Sequence, residues 1–452
     1  MEQKINITLE EIIKITNGSY RGPIESLKKK ISSLTIDSRT SKQSDLYIAI
    51  EGKKHDGNQF TKDVLEKGVK FAIISNSNFQ SDRTILVKNS KEALASIALY
   101  LRNQIKPKVI AITGSNGKTS TKEILVSIMS KYLTADQFLF TEGNFNNEIG
   151  LPLTLLNLKK KHSYAVLELG MNHAGEIAEL AKIAKPHIAL ITNIGEAHIE
   201  NFKSKDDIAK AKRELLVHSD QLEICVLPKD DDYYKFLSKS KKYLREITFG
   251  FESDATIKYE ILDNKKIKIF TPKGNFDVRI NLLGKHNLMN ILAACACSYA
   301  LEIPVNIMKK GIESIKPFPG RLETLKGING ATVINDSYNA NPSSMMEAIE
   351  VLASMDGHKI LVIGDMAELG NNTDRYHKDL GRHIKASQID ITLAVGRHTK
   401  ITMQQLDKKE LWFDSKNTLM AELLKVMDYK STVLVKGSRF MKMEDIVNKI
   451  IL

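Results

Sequence analysis

The stretch "VIAITGSNGKTSTKE", residues 109–123, carries the residue types that grip a nucleotide phosphate. Gly117, Lys118 and Thr119 form the G-K-T of a phosphate loop. The first glycine of the usual pattern would fall on Ile112, and Gly114 lies inside the loop instead. Backbone amides at a helix start, at the positive end of its dipole, hold anionic oxygens. Two glycines let the backbone bend close to them. Lys118 can reach terminal phosphates, and Thr119 offers a hydroxyl to Mg²⁺. Downstream, "LELGMNHAGEI" places Glu168 after an apolar run, and "HIALITNIGEAHIENF" places His198 after another. Phosphoryl transfer needs charge neutralised on three oxygens, and Mg²⁺ takes oxygen ligands while keeping waters. Thr119 and Glu168 are therefore candidate metal ligands, with His198 a softer one beside them. Lys212, in "AKAKRELL", reads from pattern alone as a solvated lysine on a charged helix.

These residues need elements to hold them. "KVIAITG" predicts a buried strand, and "KTSTKEILVSIMSKYL" predicts a helix with Ile124, Leu125, Ile128, Met129 and Leu133 on one face. Further apolar runs, "SYAVLELG", "HIALITNIG" and "EICVLP", alternate with helical stretches. That pattern indicates a parallel sheet covered on both faces. Before it, "SLTIDSR", "DLYIAI", "VKFAIIS" and "TILVK" form a first block ending near residue 84. The segment "SKEALASIALYLRNQI" then makes a connecting helix with Ser90 as its expected N-cap. After "PFPG", the runs "ATVINDS", "HKILVIGDM", "ITLAVG" and "TVLVKGS" repeat the theme. The expectation is an α/β protein of three domains, 1–84, 85–316 and 317–452, with ligands at the carboxyl ends of the strands.

With 452 residues, 42% hydrophobic and 27% charged, the chain has ordinary globular composition. The net charge of +12 comes from lysines mixed with acidic residues, which suits a solvated surface better than a nucleic-acid face. No aromatic-and-basic recognition motif accompanies it, so no nucleic-acid partner is expected. Three cysteines form no disulfide framework. The amino-terminal stretch lacks a signal-peptide core, and "LMNILAACACSYAL" is too short and too polar to span a bilayer. A cytoplasmic monomer without membrane insertion is expected.

The form "TGSNGKTSTKE" resembles the loop of the Mur ligase superfamily, ATP-dependent ligases that join a carboxylate to an amine and place an apolar strand residue where other loops have glycine. The resemblance implies that Gly114, Ser115, Asn116, Gly117, Lys118, Thr119 and Ser120 hold ATP. "LLGKHNLMNILAACA" matches the adenine-contact signature through Asn287 and Asn290. "PFPGRLE" places Arg321 on the nucleotide, and "VINDSYNANPSSM" places Asp336 on ribose hydroxyls. The lysine of the family's "AKAKxE" is carbamylated, which carries that role onto Lys212. It would then join Thr119, Glu168 and His198 around two Mg²⁺ ions. Lys118, Lys212 and His198 are the implied catalytic residues.

"IDSRTSKQSDLYIAIEGKKHDGNQF" resembles the family's uridine-diphosphate-binding domain, with Ser38 and Arg39 in the motif; Ser44 stands for a glycine there and Asn58 for a histidine. "TEGNFNNEIGLPLTLL" matches the substrate-lining segment through Asn144, Asn146 and Asn147, and Tyr338 and Asn339 extend that wall. "GNFNNEIGLP", "ELGMNHAGEI", "NDSYNANPSSM" and "GDMAELG" resemble the branch that adds D-alanyl-D-alanine to UDP-N-acetylmuramoyl-tripeptide. A sister ligase using one amino acid, and a nucleic-acid-stimulated ATPase of another class, are the alternatives. Pro317–Gly320 is a candidate hinge. Arg375, His377, Lys436 and Ser438 are candidate contacts in the third block.

Overall fold

Runs of valine, isoleucine and leucine build the central sheet, because each such strand is buried on both faces. In the computed structural model, residues 3–41, 45–52, 55–239, 243–263, 265–406 and 411–452 are described. The central sheet has six parallel strands in the order Arg245–Phe249, Ile224–Pro228, Ile188–Ile191, Lys108–Thr113, Tyr164–Glu168, Phe138–Phe140. Along Lys108–Thr113 the side chains alternate between two cores. Val109 and Ala111 pack with Leu94 and Ile97 of the helix Ser90–Ile105. Ile110 and Ile112 pack with Ile124 and Ile128 of the helix Lys118–Met129. This period of two sends neighbouring side chains to opposite faces, so the strand that leads into the loop at Gly114 is buried on both sides.

A six-stranded sheet precedes this one, with strands drawn from Gln3–Thr8 to Thr84–Leu86; its interior pairs are parallel and its two edge pairs antiparallel. A third six-stranded sheet follows: Glu323–Lys326, Thr332–Asp336, Ser431–Lys436, His358–Ile363, Ile391–Val395, Trp412–Phe413. All its pairings are parallel except the first, which is antiparallel. The three-part mixed α/β fold expected from the sequence is what forms. Among the described residues no helix is long and apolar enough to cross a membrane.

Two local expectations change, and one sheet is new. Asn89, not Ser90, caps the connecting helix: its side-chain oxygen accepts from the amides of Lys91 and Glu92. Asparagine beside serine offered two candidates, and only the residue with extended backbone can reach both amides. The helix after the phosphate loop ends at Met129, so Leu133 lies beyond it and reaches the same core from a loop. The new strands are Lys258–Asp263, Lys266–Thr271 and Gly274–Arg279. They form an antiparallel three-stranded sheet whose Ile267, Ile269, Phe276 and Val278 face the central core. Its signal was present as strict alternation around "TPKG".

Candidate active site

The loop after Lys108–Thr113 is shaped by its neighbours. Gly114 has φ +153° and Gly117 φ +78°. A Cβ on Gly114 would lie 1.8 Å from Thr192 Oγ1, and one on Gly117 would lie 2.2 Å from Asn290 Oδ1. Glycine is thus required twice, by backbone conformation and by close approach. Ser115 Oγ accepts from Gly195 N (2.7 Å) and donates to Gly195 O (2.8 Å). Asn116 N donates to Asn193 Oδ1 (2.9 Å), and Asn116 O accepts from Thr192 Oγ1 (2.6 Å). The loop is therefore fastened to the end of the adjacent strand, Ile188–Ile191, before any ligand is considered. Gly117→Ala should weaken nucleotide affinity by about 10²-fold or more, through αL strain plus the clash with Asn290. Titration with a fluorescent ATP analogue measures this.

The helix Lys118–Met129 points its amino terminus into a cavity of about 360 Å³. Lys118, Thr119, Glu168 and His198 line it from the central sheet, and Arg321 and Asp336 from the C-terminal sheet unit. Lys118 Nζ donates to Gly114 O (2.7 Å) and Ser115 O (3.3 Å). Burial lowers its pKa; the Glu168 carboxylate opposes that and Arg321 adds to it. Arg321 Nη2 donates to Thr119 Oγ1 (3.2 Å), and its guanidinium lies 4.1 Å from the Tyr338 ring centroid.

Glu168 is 2% exposed. Its Oε1 accepts from Asn146 Nδ2 (2.8 Å), while Oε2 is buried with no hydrogen-bond partner among the described residues. An unsatisfied buried carboxylate oxygen is unfavourable unless a cation meets it. That orphan, with the Thr119 hydroxyl lining the same cavity, fits a hard divalent ion. Among the described residues there is no cluster of three His, Cys, Asp or Glu side chains. Such an ion would take its remaining ligands from water and phosphate, as Mg²⁺ does.

His198 sits at φ +60° and Glu368, which faces it from the C-terminal unit, at φ +61°. His198 Nδ1 lies 2.6 Å from Glu368 Oε2, and the imidazole beside it holds the Glu368 carboxyl below its ordinary range. Lys212, on the helix Lys205–Val217, is 2% exposed and does not line the cavity. The solvated-surface reading of Lys212 is therefore overturned. Burial pushes its ammonium form well below the ordinary lysine range, and the Lys118 charge pushes the same way.

Ser115, Asn116, Gly117, Ser120, Asn287 and Asn290 line the same cavity; Gly114 does not. Asn290 Nδ2 donates to Asn287 Oδ1 (3.0 Å), Asn287 Nδ2 to Leu283 O (2.7 Å), and Thr121 Oγ1 to Asn290 Oδ1 (3.2 Å). Asn290 also borders a second cavity, of about 680 Å³, walled by Pro228, Phe251, Leu283, Met289, Val351 and Met355. An apolar slot beside a phosphate-type loop suits a flat heterocyclic base. The sequence reading missed these wall residues, because they come from four separate segments.

Asn144, Asn146, Asn147, Tyr338 and Asn339 line the first cavity. Asn147 has a structural task as well, its Oδ1 accepting from Gly150 N (2.8 Å) at the start of the helix Gly150–Leu155. Asp336 Oδ2 accepts from Lys436 Nζ (2.6 Å), and Lys436 also donates to Asn339 O (3.0 Å). Ser438 donates to Ala340 O (3.1 Å). His377 is fully buried, its Nδ1 lying 3.1 Å from Thr402 Oγ1, with burial lowering its pKa to about 4. His377 is thus a core residue, and Arg375 is an exposed partner of Asp379 at 3.8 Å.

Ser38 and Arg39 stand in the first sheet unit and do not line either cavity. Arg39 is exposed and grips Asp37 with Nε (2.9 Å) and Nη2 (2.8 Å), holding that carboxyl at about 2. Asn58 is buried and ties Asp56 to Ser75. Ser44 lies outside the described residues.

Lys122 and Glu368 were missed from the sequence. Lys122 is fully buried, donates to Thr141 O (2.6 Å) and pairs with Glu123 (2.6 Å); Thr141 Oγ1 accepts from Glu168 N (3.0 Å). Lys122 thereby positions the Glu168 strand end. Its signal was its place on the buried stripe with Leu125 and Met129.

Family models match three stretches: "Mur ligase family, catalytic domain" over residues 30–102, "Mur ligase middle domain" over 112–298, and "Mur ligase, glutamate ligase domain" over 320–439. The chain is 36% identical, over 99% of its length and 98% of the relative's, to the UDP-N-acetylmuramoyl-tripeptide–D-alanyl-D-alanine ligase of Buchnera aphidicola subsp. Baizongia pistaciae. Its fold is similar to the crystal structure of MurF from Acinetobacter baumannii, with TM-score 0.90, 32% identity and 99% of both chains covered. It is also similar to MurF ligase from Thermotoga maritima in complex with ADP, with TM-score 0.82, 28% identity, and 92% of this chain and 96% of that one covered.

Proposed function

The chain belongs to the Mur ligase family, and from that premise we propose that it adds D-alanyl-D-alanine to UDP-N-acetylmuramoyl-tripeptide at the expense of ATP, giving the pentapeptide precursor of peptidoglycan. The observation that carries this reading is the convergence of Lys118, Glu168 and Arg321 on one cavity between two sheets. Full-length likeness to ligases of that name supports the choice of substrates.

In this reading the chain divides after residues 84 and 316. The first unit holds the uridine nucleotide through the segment of Ser38 and Arg39, and the last receives the dipeptide. Lys118, the amides of the phosphate loop and Arg321 orient the ATP phosphates. The apolar slot beside Asn290 takes the adenine, and Asp336 faces the ribose. The terminal carboxylate of the tripeptide, lined up by Asn144 and Asn146, attacks the γ-phosphorus. ADP departs and an acyl phosphate remains. The neutral amine of the dipeptide attacks the acyl carbon, phosphate leaves with one former carboxylate oxygen, and a peptide bond and a proton result. Positioning and charge neutralisation carry most of the rate. Thr119, Glu168 and His198 would hold Mg²⁺, up to two ions, supplying positive charge to the phosphate oxygens. Carbamylation of Lys212 by CO₂ is part of the proposal. It needs a neutral amine, which the burial of Lys212 and the nearby Lys118 charge favour, and it yields an anion able to face a cation. The enzyme is taken to act as a cytoplasmic monomer; three buried free cysteines suit a reducing compartment.

The test is ADP release by purified protein with ATP, Mg²⁺, the muramoyl tripeptide nucleotide and the dipeptide. Turnover should require all of them, fall sharply when single amino acids replace the dipeptide, and ignore added DNA or RNA. Equal turnover with one amino acid would transfer the reading to a sister ligase.

A further inference from the structure

The backbone of Asn116 fastens the phosphate loop, as described above; its side chain reaches the C-terminal unit. Asn116 Oδ1 accepts from Asn341 Nδ2 at 2.7 Å, and Asn116 Nδ2 donates to Ser343 Oγ at 2.9 Å. Ser343 Oγ in turn donates to Asn341 Oδ1 at 3.0 Å. The three side chains close a ring in which each donates once and accepts once. Asn341 is also the N-cap of the helix Pro342–Ala353: its Oδ1 accepts from Ser344 N (3.0 Å), and its own amide donates to Ser344 Oγ (3.0 Å). The ring therefore joins the start of one rigid helix to the loop before another, Lys118–Met129, across 225 residues of chain. Asn341 borders the first cavity and Ser343 the second, and neither reacts in the chemistry derived above.

We propose that Asn341 and Ser343 are positioning residues that lock the C-terminal unit onto the phosphate loop through Asn116 while the acyl phosphate exists. The lock couples ATP cleavage to peptide-bond formation. This inference rests on the ligase reading. With the lock open, water reaches the intermediate: its oxygen bonds to the acyl carbon, the acyl–phosphate C–O bond breaks, phosphate leaves and the carboxylate re-forms as protons are released. The sum is ATP hydrolysis with no peptide bond. A hydrogen-bonded ring suits this task, because it is directional and breaks as a unit when either partner withdraws.

The experiment measures ADP released per dipeptide incorporated, in the full-length enzyme with all substrates. Asn341→Ser keeps an oxygen to cap the helix but is too short to reach Asn116. Loss of that arm should lower the closed population by about tenfold. The ratio should then rise from one in the unaltered enzyme to about three or more. Ser343→Ala leaves the cap untouched and removes the other arm; its ratio should also exceed one. Thermal melting within about 3 °C of the unaltered enzyme would show that the cap survives. A ratio of one in either folded variant, even with a lower rate or melting point, overturns the lock and leaves a structural role only. An unaltered enzyme that forms no peptide overturns the ligase reading itself, before any variant is made.

Discussion

Lys118→Ala abolishes ADP formation, lowering turnover by about 10³-fold or more. The reason lies in how the side chain is held. Its ammonium lies against the carbonyls of Gly114 and Ser115, on a loop anchored to the neighbouring strand through Ser115 and Asn116. It is the loop's own cation, whereas Arg321 arrives from the C-terminal unit and is already turned toward Thr119 and Tyr338. Arginine from the other side cannot replace a point charge at the loop. The change removes no core packing, so melting temperature should hold, and loss of activity with an intact fold is the expected result. A coupled ADP assay beside a thermal melt checks both. Residual turnover above a tenth of the unaltered rate would remove Lys118 from the transition state.

Lys212→Ala lowers turnover by about 10²-fold or more, and short carboxylic acids such as acetate restore part of it. A lysine 2% exposed, with the Lys118 charge acting on it, is poorly placed to remain an ammonium ion. It is well placed to react as an amine. In the alanine variant the missing side chain leaves room for a small carboxylate, which supplies the anion a carbamate would supply, without the tether. Rescue separates this role from a packing role, since a cavity alone would not respond to acetate differently from an uncharged analogue such as acetamide. Normal activity in the variant, or equal rescue by the two, would end the carbamate assignment.

Much of the site was legible in the sequence because its demands are local. Gly114 and Gly117 announce a backbone that other residues adopt only under strain, and the apolar runs beside them state the buried strands. The adjoining asparagines and Glu168 sit within a few residues of those strand ends. What was hidden depends on partners distant in the chain. Lys212 looked solvated, since a charged helix does not say which of its faces is covered. His377 looked available, but Thr402 and the backbone of Met366 enclose it. Glu368 acquires meaning only when its loop meets His198 across the interface. The apolar slot is assembled from segments that share no periodicity. Ser90 and Asn89 were separable only by which of them carries the extended backbone that a cap requires.

The central chemical event is the transfer of a phosphoryl group to the tripeptide carboxylate. Labelling that carboxylate with oxygen-18 and analysing the inorganic phosphate by mass spectrometry tests it directly. One labelled oxygen should appear in phosphate for each peptide bond formed from fully labelled substrate. Phosphate free of label, with peptide bonds still forming, would contradict the acyl phosphate and the mechanism built on it.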